Sequence, residues 1–89
     1  MNTLTRGIAE QIEKSAIDQK ELARIAIVAE MLLAFYDEPS MIVGRPAAAR
    51  LSFEDNGRTL ILPLPAGYPK IYATRNEMGG ITLMLADEY

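Results

Sequence analysis

Residues 49–64 read Ala-Arg-Leu-Ser-Phe-Glu-Asp-Asn-Gly-Arg-Thr-Leu-Ile-Leu-Pro-Leu. Asn56-Gly57 at its centre suits a two-residue type I′ turn, because both central positions of that turn need positive φ. The flanks test the idea. If Asp55 pairs with Arg58, then Phe53 meets Leu60, Leu51 meets Leu62 and Ala49 meets Leu64. All six apolar side chains then share one face, while Arg50, Ser52, Glu54 and Thr59 take the other and Ile61 is the exception. A slip of one residue destroys this agreement. The sequence therefore predicts strands over 49–55 and 58–64 joined as a hairpin.

Downstream, Pro63, Pro65, Gly67 and Pro69 punctuate a turn, and Pro63 suits an edge better than a central strand. Lys70 to Thr74 reads as a short strand, Asn76 to Gly80 as a turn, and Ile81 to Ala86 as a last strand with Ile81, Leu83 and Leu85 inward. Met41-Ile42-Val43 fits a short edge strand or a plug at the end of the core.

Upstream the apolar period changes to that of a helix. Leu4, Ile8 and Ile12 form a narrow stripe over about Thr5 to Ser15, with Thr3 or Thr5 as N-cap and a Glu10–Lys14 pair along one side. A second helix start follows, with Asp18 and Glu21 in capping-box spacing and Ile17 and Leu22 at the positions of a hydrophobic staple. Two helices are therefore favoured over one continuous helix. The second, Gln19 to about Tyr36, is apolar nearly all round. Leu22, Ile25, Ala26, Ala29, Leu32, Leu33 and Tyr36 gather on one side; Ile27, Met31, Ala34 and Phe35, with Val28 beside them, gather on the other. Such a helix needs cover on two sides. Asp37-Glu38-Pro39-Ser40 ends it.

These elements predict a single α+β domain over residues 1–89. Its helical part spans about 3–37 and its β part about 41–89, with two N-terminal helices on a small antiparallel sheet of about four strands built as a hairpin meander. Hydrophobic residues make up 49% of the chain and charged residues 24%, the composition of a globular protein.

The 89 residues include no cysteine and no histidine. Thiolate chemistry, disulfides, zinc sites built on cysteine, and triads that use an imidazole base are thereby excluded within one chain. Glu10 with Glu13, Asp37 with Glu38, and Asp87 with Glu88 are paired carboxylates, but none carries a companion motif, and solvated charge explains them. Gly79-Gly80 leads into a strand, so it reads as a turn and not a phosphate loop. Gln19 to Ala23 resembles the opening of a helix-turn-helix, yet the segment after it is too apolar to face a groove. No catalytic residue, metal site or cofactor is expected.

The net charge of −3 argues against general duplex binding, although residues 44–75 carry five basic against two acidic side chains. The longest apolar stretch, Leu22 to Tyr36, is interrupted by Arg24 and Glu30 and is too short to span a bilayer. With no targeting segment in the opening residues, a cytoplasmic setting is expected.

Two candidate surfaces follow. The second apolar face of the long helix (Ile27, Met31, Ala34, Phe35) is a self-association or partner surface, unless the first helix covers it. Tyr68, Lys70, Tyr72 and Arg75 on and around the third strand are a candidate site for an anion or nucleotide, if aromatic rings and a cation meet on an open sheet. The expected function is a small non-enzymatic protein that binds another macromolecule as an inhibitor or regulatory subunit, as a homo-oligomer. The alternative is a protein that sequesters a small anionic ligand or nucleotide.

Overall fold

The computed structural model describes residues 2–89. Its elements run in the order β1 (Thr3–Leu4), α1 (Arg6–Glu13), α2 (Gln19–Phe35), β2 (Met41–Pro46), β3 (Ser52–Glu54), β4 (Thr59–Leu64), β5 (Ile71–Arg75) and β6 (Ile81–Leu85), then a 3-10 turn at Ala86–Glu88. The six strands form one sheet ordered β1-β6-β5-β2-β4-β3. Both helices pack on the same side of it, α1 against β6 and α2 against β6, β2 and β5.

This corrects the expected four-stranded antiparallel meander. The sheet has six strands and is mixed: β2 runs parallel to β4 and antiparallel to β5, and β1 runs parallel to β6. The hairpin β3–β4 has the predicted register, with Phe53 opposite Leu60. Asn56 and Gly57 have φ of 55° and 85°, and the Arg58 N–H donates to the Asp55 carbonyl, as in a type I′ turn. Asp55 also has φ of 54° and the Gly57 N–H donates to the Glu54 carbonyl, so the turn takes in residues 55–58 and is wider than the two residues expected. The difference begins with β2, read as an edge or a plug, which instead lies at the centre between β5 and β4. Ile42 faces the helices and Val43 the opposite face, and both are buried. A strand covered on both faces loses the polar alternation that marks it in a sequence. Its continuation Gly44-Arg45-Pro46 resembles loop, although Gly44 pairs with Leu62 and Pro46 with Leu64. With β2 inserted, β4 and β5 are no longer neighbours.

The strand β3 is shorter than the predicted 49–55, and as an edge strand it leaves Leu51 and Phe53 exposed instead of inward. Ile61 is buried on the face away from the helices, beside Val43. Pro63 lies past Ile61, the last β4 residue that β3 pairs, so its missing N–H interrupts no ladder on that side.

The core between sheet and helices is built from Ile8, Ile17, Leu22, Ile25, Ala29 and Leu33 against Ile42, Leu60, Ile71, Ala73, Ile81 and Leu83. The break between the helices falls where the caps predict. The Asp18 side chain accepts from the Lys20 N–H at 3.0 Å, and the staple residues Ile17 and Leu22 are both buried. Leu4 belongs to β1 and not to the α1 stripe, so the expected division into helical and β parts fails at the first strand.

Glu88 ties the last turn to the first helix. Its carboxylate accepts from the Thr5 hydroxyl at 2.5 Å, from the Leu85 N–H at 2.9 Å and from the Gly7 N–H at 3.0 Å. The Thr5 and Leu85 bonds, with that of Gly7, hold its pKa below the usual carboxylate value. Gly7 leaves room for this: a Cβ there would sit 2.6 Å from the carboxylate.

Candidate functional site

The outer side of α2 is uncovered. Ala23, Ile27, Met31 and Phe35 follow one another at four-residue steps, which aligns them as a single ridge, with Ala34 alongside. Ile27 is 59%, Met31 65% and Phe35 78% exposed. The side that the periodicity assigns to the core is the buried one, with Leu22, Ile25, Ala26, Ala29 and Leu33. The alternative of cover by the first helix does not hold, because α1 turns its one fully buried residue, Ile8, toward β6 and the core.

The ridge does not stop at the end of the helix. The Phe35 and Tyr36 rings meet edge to face at 4.8 Å, and Tyr36 meets Phe53 in the same way at 5.1 Å. Phe53 is 47% and Leu51 40% exposed, so an apolar surface continues from α2 onto the β3 edge. Sequence reasoning missed this extension because it placed Leu51 and Phe53 in the core. The short run before Asn56-Gly57, bounded by Ala48-Ala49-Arg50, was the available sign of a brief edge strand.

The second candidate set does not converge. Tyr68 lies on the helix side, where its hydroxyl accepts from the Asp18 N–H at 3.1 Å. It thereby fills the role that Glu21 has in a capping box, while Glu21 pairs with Arg24 at 2.6 Å. Arg75, also toward the helices, donates through Nη2 to the Leu33 and Tyr36 carbonyls at 2.5 and 3.1 Å, and through Nη1 to the Pro39 carbonyl at 2.8 Å. The last carbonyls of a helix lack intrahelical partners, and α2 has no basic residue in its final turn, so a strand residue supplies the cap. Tyr72 is on the far face of the sheet with its ring against Tyr89 at 5.4 Å, and Lys70 is exposed just before β5. Two of the four residues therefore pin the two ends of α2.

Two open depressions touch these residues. One beside Tyr68, of about 470 Å³, is lined by Ile12, Ser15, Ala16 and Asp18. The other, of about 270 Å³, lies between Glu30, Ala34, Arg75 and Asn76. Neither gathers the rings and cations that an anion site needs, since the guanidinium of Arg75 is already turned to carbonyl oxygens. Among the described residues no three acidic side chains come together to hold a metal ion, and no helix is long and apolar enough to cross a membrane. Comparisons with family models, with curated proteins and with solved structures find no match.

Proposed function

We propose that this protein is a non-enzymatic binding protein of the cytoplasm, an inhibitor or regulatory subunit that works by apposing the α2 ridge to another protein surface and that also self-associates. The observation that carries this reading is the ridge itself: Ala23, Ile27, Met31 and Phe35, apolar and exposed on a helix fixed at both ends by Tyr68 and Arg75. Exposed apolar surface of this kind is costly in water and is characteristic of protein contacts. Because the ends are tied, little ordering remains to oppose association.

A photo-crosslinking side chain at position 31 tests the reading in cells. The expected result is protein adducts of discrete mass from position 31, and none from the same probe at exposed position 70. The reading is overturned if position 31 yields no protein adduct at all.

A further inference from the structure

We propose that a second copy of this chain occupies the α2 ridge, docked helix to helix in antiparallel orientation about a two-fold axis that crosses α2 level with residue 29. This rests on the contact-surface reading above and names the occupant of that surface.

The first argument is the size gradient. From the N-terminal to the C-terminal end of α2 the ridge enlarges in the order Ala23, Ile27, Met31, Phe35. In an antiparallel pair centred on residue 29, Ala23 faces Phe35 of the second copy and Ile27 faces Met31. Arg24, beside the ridge, faces Ala34. The smallest and largest ridge side chains then meet at each end and two of similar size meet at the centre, so no layer is overfilled or gapped. A parallel pair opposes Phe35 to Phe35 and Ala23 to Ala23, overfilled at one end and gapped at the other. Because both ridges run in four-residue steps, a crossing near −50° suits this arrangement, with the ridges interdigitating and contact densest around Ile27 and Met31.

Charge gives the same polarity. Exposed Lys20 stands at the N-terminal end of α2, where the helix dipole is positive. Exposed Asp37 and Glu38 follow its C-terminal end, whose last carbonyls are capped by Arg75. Among the described residues the ion pairs are Arg6–Glu10, Arg24–Glu21 and Arg45–Glu54, so these three charges are not spent within the chain. Antiparallel docking brings Lys20 of each copy to the same end as Asp37 and Glu38 of the other and opposes the two dipoles favourably, while the nearby Asp18 carboxylate is turned to the Lys20 N–H as the helix cap.

Area sets the strength. A helix of 17 residues is about 25 Å long, and one face of it falls short of the roughly 800 Å² per partner of a standard interface. The chain of rings from Phe35 through Tyr36 to Phe53 extends the apolar surface beyond the helix end. The dimer is accordingly of modest affinity, half dissociated at about 1–100 µM.

Sedimentation equilibrium of the full chain from about 1 µM to 1 mM, a range that brackets that affinity, is the test. The expected result is a monomer–dimer equilibrium ending at twice the 9.8 kDa chain mass. Lys20→Glu should weaken it by about tenfold, and Lys20→Glu with Glu38→Lys should restore it, because each new carboxylate then faces a new ammonium. Ala23→Phe should weaken it likewise, and Ala23→Phe with Phe35→Ala should recover it. Far-ultraviolet circular dichroism and a thermal midpoint unchanged at concentrations below the dimerisation range confirm that these exposed substitutions leave the fold intact. A monomer throughout the concentration range overturns the inference, as does a dimer indifferent to both single substitutions. If the chain is monomeric while the position-31 probe captures a different protein, the contact-surface reading stands and only the second copy falls.

Discussion

Gly44 sits in the middle of β2 with the side chain of Leu64 lying over it. A Cβ at this position would come within 2.8 Å of Leu64 Cδ1, 3.1 Å of its Cγ and 3.2 Å of the Ile71 carbonyl oxygen. Leu64 is only 5% exposed and belongs to the core, so it cannot simply swing into solvent. Gly44→Ala therefore overpacks the helix-facing side of the central strand, at a cost of about 1–3 kcal/mol. Removing glycine from a strand returns about 0.5–1 kcal/mol through the unfolded state. The net loss is then up to about 2.5 kcal/mol and centred near about 1 kcal/mol, and at roughly 4–8 °C per kcal/mol for a domain of this size that central value lowers the Tm by about 4–8 °C. Leu64→Ala alone should cost about 2–5 kcal/mol, since it leaves a cavity in the core. In the double variant the new methyl occupies space that Leu64 has vacated. The two changes should then cost less together than their sum, by about 1 kcal/mol. Urea titrations of the four proteins, with a common m-value, give this cycle directly. A Gly44→Ala protein at least as stable as the parent, or strict additivity in the double variant, would refute the close approach of Leu64 to β2.

Three other contacts make separate predictions. The carboxylate of Glu88 has a lowered pKa, so its stabilising contribution is present above the unfolded glutamate value of about 4.3 and is lost as pH falls through the folded value. The urea midpoints of the parent and Glu88→Gln should differ at pH 7 and converge below about pH 4; a constant gap refutes the assignment. Tyr68→Phe removes the acceptor of the Asp18 N–H and should cost about 1 kcal/mol by urea titration, and no change would mean that water replaces the hydroxyl. Arg75→Met should speed amide exchange in the last turn of α2 about tenfold, while the N-terminal turn keeps its protection, since one hydrogen-bonded cap of about 1.4 kcal/mol is lost; uniform exchange along the helix would show that the cap contributes nothing local.

What could be read from the sequence was local. The Asn56-Gly57 turn, the Asp18 cap and the two sides of α2 each follow from residues within a few positions of one another, and the sheet and helices carry them as expected. Strand order was not legible, because the partners of β2 are Thr59 to Leu64 on one side and Ile71 to Thr74 on the other, and no nearby residue encodes that choice. A parallel pairing has no turn signature at all. The same limit misplaced the second candidate site. Alternation along β5 correctly separates Ile71 and Ala73 from Tyr72, but it cannot reveal that the donors of Arg75 end on the carbonyls of α2, or that Tyr68 reaches the start of that helix.

The pairing of β1 with β6 joins Thr3 to Thr82 and Leu4 to Leu83. During synthesis, α2 and the β3–β4 hairpin can begin to organise as soon as they leave the ribosome, since their contacts are local. The first strand cannot. Its template at Thr82 and Leu83 emerges after every other strand of the sheet, and the carboxylate that caps α1 comes later still. β1 must therefore wait for β6, and the sheet is completed only once that strand is free to close on it.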